Sequence, residues 1–226
     1  MLGLSELQPS SEYTGLVDRR NRVLLLTGFG PFPGAPVNPT EALVAGLARR
    51  ATARGIAVRA EVLATEYAAA EVALPALLAE ADPDVVLHFG LSARARTLRI
   101  ERRARNRAAI ARPDASGAMP NLAIIEPGGP ANRSVTLPVA RALAALARVG
   151  LAAAPSLDAG DYLCNYVLYR SLAASAGRRR VVGFVHVPPP VERHRLAGPA
   201  AMSADDLLAG GAIILDVALA PSRAGL

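Results

Sequence analysis

Apolar positions along this chain follow two rhythms that alternate from one end to the other. Residues 22–27 (Arg-Val-Leu-Leu-Leu-Thr), 84–89 (Asp-Val-Val-Leu-His-Phe) and 181–187 (Val-Val-Gly-Phe-Val-His-Val) are short, nearly unbroken apolar runs closed by Gly28, Gly90 and Pro188. Such runs mark strands buried on both faces of a parallel sheet. Residues 58–63 alternate as a strand does, and 152–157 supplies another extended stretch. Between them the spacing turns helical. Asn38 caps a helix that has Pro39 in its first position and runs to about Arg54 before Gly55, a sound start and stop. Residues 68–81 and 139–149 predict two more helices, the second stopped by Gly150. A turn at Gly160 and Asp161 leads into a helix that ends at Gly177, and residues 202–206 cap a last helix over 207–220.

Strands and helices in alternation imply right-handed crossovers and a mostly parallel sheet covered on both sides. The expected architecture is a three-layer α/β/α single domain over residues 22–226. Residues 1–21 are polar and aperiodic and are expected to form a flexible extension. Two stretches interrupt the pattern. Residues 91–112 are highly charged, and 113–138 is rich in Pro, Gly and Asn, with room for a short β-ribbon and a length that suggests a functional or partner-facing role.

Composition narrows the function classes. With 226 residues, 52% of them hydrophobic, the chain can build one substantial core. A single cysteine excludes an internal disulfide framework and a thiolate-only metal cage, which points to a reducing cytoplasm. No uninterrupted apolar run reaches the roughly 18 residues of a membrane span, so no membrane role is expected. The net charge of +6 raises nucleic acid as a partner. All 25 basic residues are arginine, however, and no aromatic residue interleaves the cluster Arg94, Arg96, Arg99, Arg102, Arg103, Arg105, Arg107 and Arg112. A solvated or subunit-facing surface therefore fits it better than a base-stacking one.

The glycine loop after the first strand has Gly28, Gly30 and Gly34, with Pro31 and Pro33 between them. That spacing misses the dinucleotide fingerprint, and the prolines remove donors a phosphate cradle would use. The loop does carry Phe29 and Phe32 at the C-terminal end of a strand, where open α/β sheets bind ligands. Core packing of both rings is an equal reading at this point.

Cys164 falls in the first turn of its predicted helix, where unpaired N–H groups and the macrodipole favour a thiolate. Alone it reads more readily as a buried structural cysteine than as a nucleophile. Of three histidines, His88 falls inside a buried strand, His194 in a polar, exposed segment, and His186 at a strand end before three prolines. His186 is the candidate base for a cysteine nucleophile. Glu101, the one acid among eight arginines, reads from composition as a surface carboxylate.

The motifs Thr27-Gly28-Phe29-Gly30-Pro31-Phe32, Val37-Asn38-Pro39, Ile100-Glu101-Arg102 with Asn106, Gly128-Gly129-Pro130-Ala131, Ala159-Gly160-Asp161-Tyr162-Leu163-Cys164-Asn165 and Gly183-Phe184-Val185-His186-Val187-Pro188 occur in this order. In that order they resemble the pyroglutamyl peptidase I family of cytosolic cysteine peptidases, from about Arg22 to Ala220. The resemblance implies a Glu101, Cys164 and His186 triad, replacing the surface reading of Glu101. It also implies hydrolysis of N-terminal pyroglutamate from peptides through a thioester, no cofactor or metal, and a homo-oligomer. Phe29, Phe32, Asn38, Leu91 and Leu163 would enclose the lactam. One departure stands out: where the family commonly has Gln-Ala-Gly-Gly-Arg after Gly90, this chain has Leu91-Ser92-Ala93-Arg94-Ala95-Arg96. Two other readings compete with the peptidase: an amidase for another small N-acyl amide, and a non-catalytic binding protein with a basic face toward nucleic acid.

Overall fold

The structure is a computed structural model that describes residues 22–108, 112–120, 123–192 and 201–220. The expected extension over 1–21 and His194 lie outside the described residues. Six strands form the central sheet: β1 (Val23–Phe29), β2 (Ala57–Leu63), β3 (Val85–Leu91), β4 (Leu98–Glu101), β7 (Ala153–Ser156) and β8 (Val181–Val187), in the order β2-β1-β3-β8-β4-β7. Every pairing is parallel except β4 with β8. The mostly parallel sheet and its flanking helices match the architecture expected from the periodicity.

Two apolar layers cover the sheet. On one face, Leu24, Leu26, Leu87, Val185 and Val187 pack with α1 (Pro39–Ala53), α3 (Val139–Ala147) and α5 (Ala204–Leu219). On the other, Leu25, Val86, Val182 and Phe184 pack with α2 (Tyr67–Ala81) and α4 (Leu163–Ala174). Side chains alternate across a strand, so Val185 and Val187 face the first layer while Phe184 and His186 face α4.

The stretch read only as charged contains β4 and a further strand, β5 (Arg103–Arg105), which pairs antiparallel with β6 (Asn132–Ser134). The ribbon anticipated for 113–138 therefore exists, but its partner strand comes from before that segment. After β3 the chain turns over the end of β8 and returns as β4, with Arg99 opposite His186 and Ile100 opposite Val185. That reversal puts Glu101 deep in the sheet.

Side chains far away in sequence tie the loops down. Asn165, fully buried in α4, accepts from the Arg105 N–H at 2.8 Å and donates to the carbonyls of Arg105 and Arg107, both at 2.8 Å. Asn106 bonds both the N–H and the carbonyl of Glu126. Asp114 accepts from the Tyr67 N–H at 2.9 Å, supplying from a distant loop the cap that Glu66 does not give to α2.

Candidate active site

The C-terminal ends of β1, β3 and β8 and the N-terminus of α4 enclose a cleft of about 460 Å³. Phe29, Phe32, Asn38, Leu91, Leu163, Cys164 and His186 all line it. Phe29 resolves the choice between core and ligand wall by doing both, since it is 3% exposed and belongs to the α2/α4 core while bordering the cleft.

Each member of the constellation is held by its own element. Cys164 is the second residue of α4, as its turn-forming approach predicted. Its sulfur lies over β3: a Cβ placed on Gly90 would stand 2.9 Å from Sγ and 2.7 Å from Phe184 Cζ. Gly90 is paired in register with His186 on the neighbouring strand, so the missing side chain leaves room for the sulfur beside the imidazole. His186 Nδ1 is 2.8 Å from Glu101 Oε1. With Nδ1 so occupied, Nε2 is the ring nitrogen left for Cys164, whose sulfur borders the same cleft.

Electrostatics at His186 follow from this arrangement. Burial opposes its protonation, yet the negative charge and hydrogen bond of Cys164, followed by the hydrogen bond and charge of Glu101, outweigh it and raise the pKa to about 9. Glu101 is fully buried, which overturns the surface reading from composition. Its Oε2 is buried without a hydrogen-bond partner among the described residues.

The loop is set by backbone bonds. Asn38 Oδ1 accepts from the Thr40 N–H at 3.2 Å, as a cap should, and its amide donates to the Gly30 carbonyl at 3.1 Å. The second amide N–H of this cleft-lining residue makes no hydrogen bond among the described residues. Thr65, unmarked by any sequence signal, also donates to that carbonyl at 3.1 Å and lines the cleft.

The altered loop after Gly90 folds without glycine. Leu91 continues the ladder with Val187, the Ser92 N–H donates to the Val187 carbonyl at 2.9 Å, and the Ala95 N–H closes a turn on Ser92 at 2.9 Å. No residue from Leu91 to Arg96 has a positive φ. The arginine cluster is divided. Arg94, Arg99 and Arg112 line the cleft, Arg103 donates to the Leu157 carbonyl, and Arg105 pairs with Asp158.

His88, the other described histidine, is packed as expected. Its Nδ1 meets Thr27 Oγ1 at 2.6 Å and its Nε2 meets Ser171 Oγ at 2.8 Å. Burial without a countercharge lowers its pKa to about 3.

Residues 22–220 match the family described as pyroglutamyl peptidase. The chain belongs to the pyroglutamyl peptidase family. It is 38% identical over 172 residues to a pyrrolidone-carboxylate peptidase of Clavibacter michiganensis, covering 75% of this chain and 79% of that one. It is 36% identical over 172 residues to the same-named protein of Pyrococcus furiosus, covering 73% and 80%. Among solved structures, a mutant pyrrolidone carboxyl peptidase of P. furiosus superposes with a TM-score of 0.76 at 33% identity, covering 87% of this chain and 98% of that chain. The Thermococcus litoralis pyrrolidone carboxyl peptidase gives 0.76 at 30% identity, with 88% and 93% covered. The family's α/β fold is thus the fold of this chain.

No helix among the described residues is long and apolar enough to cross a membrane.

Proposed function

We propose that this protein is a cysteine peptidase that removes an N-terminal pyroglutamyl residue from peptides. The observation that carries the reading is the contact of 2.8 Å between His186 Nδ1 and Glu101 Oε1, on a ring that lines one open cleft together with Cys164. Family membership supplies the substrate class. The cleft suits it: pyroglutamate is small, uncharged and lacks a free amine, and flat walls at Phe29 and Phe32 with the Asn38 amide match a lactam.

In the proposed mechanism Cys164 acts as thiolate beside an imidazolium on His186, and Glu101 holds the ring with Nε2 toward the sulfur. The sulfur attacks the pyroglutamyl carbonyl carbon. Negative charge gathers on the carbonyl oxygen, where N–H groups of the first turn of α4 can donate to it. His186 gives its proton to the departing amine as the C–N bond breaks, leaving a thioester. A water then loses a proton to His186 and attacks the thioester, releasing pyroglutamate and restoring the ion pair. Leu91 and Leu163 complete the apolar enclosure of the ring. The same proposal places the protein in the cytoplasm as a homo-oligomer, supported by the single cysteine and by the Pro/Gly-rich segment.

The test is hydrolysis of a pyroglutamyl aminocoumarin amide by the reduced protein and by Cys164→Ala. Wild type is expected to release the fluorophore and the variant to lose at least about 10³-fold in kcat. A reduced, folded wild type that releases nothing would sink the proposal.

A further inference from the structure

The cleft is more cationic than its proposed substrate ring requires. Arg94, Arg99 and Arg112 line it, against Asp158 and Asp161. Asp158 is already engaged, since its Oδ1 pairs with Arg105 and accepts from the Gly160 N–H at 2.9 Å. Arg99 donates to Ser156 Oγ at 2.7 Å and is held along the cleft wall, with no carboxylate partner among the described residues. Arg94 makes no ion pair or hydrogen bond among the described residues, and it stands in the loop that departs from the family pattern.

Arg112 is held in place. Its guanidinium lies 4.4 Å from the centre of the ring of Tyr162, the residue just before the first turn of α4. The Tyr162 hydroxyl donates to the Pro113 carbonyl at 3.1 Å. Two residues on, buried Asp114 is fixed by the N–H groups of Tyr67, Ser116 and Ala118. A guanidinium stacked on a ring keeps its N–H edge free for a carboxylate.

A pyroglutamyl group begins its peptide and carries no charge, so any charge on the substrate lies beyond the scissile bond. We infer that Arg94 and Arg112 form an anion-selective subsite for the leaving peptide, favouring a carboxylate within one or two residues of the bond cut. This rests on the peptidase reading. The carboxylate can come from the C-terminus of a very short peptide or from an acidic side chain.

Two substrate pairs separate these sources: pyroglutamyl-alanine against its C-terminal amide, and pyroglutamyl-glutamate amide against pyroglutamyl-glutamine amide. The anionic member of at least one pair is expected to have a kcat/KM roughly three- to tenfold higher, the scale of one or two partly exposed ion pairs. The pair showing it identifies the source. The ratio should fall toward unity in the double variant Arg94→Gln, Arg112→Gln, and in wild type as salt is raised to about 0.5 M. Because the readout is a ratio, it does not depend on how much of the variant folds. Equal rates within both pairs for wild type, or a preference that survives the double variant, overturn the inference while leaving the peptidase intact. No cleavage of any of the four peptides overturns both.

Discussion

His88 and His186 occupy neighbouring strands of one sheet, and both are all but removed from solvent, at 0% and 7% exposure. Their chemistry is opposite. His88 meets two hydroxyls and is held neutral, with its pKa near 3. His186 meets the Glu101 carboxylate and faces the Cys164 sulfur, and it carries its proton up to about pH 9. Burial acts in the same direction on both, since it always opposes the charged imidazole. The partners decide the outcome, and here they separate a structural histidine from a proposed general acid–base only one strand away.

The largest effect that can test this contrast is expected from Glu101→Gln. The amide keeps the shape but removes the charge and can misdirect the ring, so kcat should fall by roughly 10²–10⁴-fold. Its signature is the pH profile. A histidine with a raised native pKa contributes stability that is fully present below its ordinary value near 6.5 and is lost as pH rises through about 9. Wild-type activity should decline through the same upper range as the proton donor is lost, and Glu101→Gln should move that limb of the kcat/KM profile to lower pH. An unmoved limb would separate Glu101 from the imidazole's titration.

A smaller loss is expected from Gly90→Ala, which tests position rather than charge. The new methyl would meet Cys164 Sγ at 2.9 Å and Phe184 Cζ at 2.7 Å, so the sulfur, the Phe184 ring or both must shift. A displacement of this kind should lower kcat by about 10- to 100-fold, read by steady-state kinetics alongside the rate of thiol alkylation. Retention of both wild-type rates would show that the sulfur does not depend on this gap.

The smallest effect belongs to His88. Because its native pKa is depressed, the unfolded chain takes up a proton that the native state refuses, and stability falls as pH drops from about 6.5 toward about 3. The slope is at most about 1.4 kcal/mol per pH unit. In His88→Gln, urea unfolding across that range should lose this contribution while the alkaline limb of activity near pH 9 stays in place. A slope unchanged by the substitution would place the acid sensitivity elsewhere.

Much of this arrangement was legible before the fold was seen, and for local reasons. Gly160 and Asp161 ahead of an apolar helical period place Cys164 in a first turn, and three prolines after a buried run place His186 at a strand end. Glu101 was different. Its composition pointed to the surface, and only ordered motifs pointed inward, because its burial depends on β4 pairing with β8 across 85 residues of chain. Asp114, which caps α2 from 47 residues away, left no local signal at all. Nor did Arg112 and Arg94, which a count of charges had merged with six other arginines.

The sequence by itself determined the alternation of strands and helices, the covered sheet, the cysteine at a helix start and the family, because each is written in spacing over a few residues or in ordered motifs. Only the tertiary structure decided which histidine is charged, where the sulfur finds room over Gly90, and which arginines enter the cleft. Those outcomes depend on strand register and on loops meeting across long separations, which side-chain periodicity does not encode.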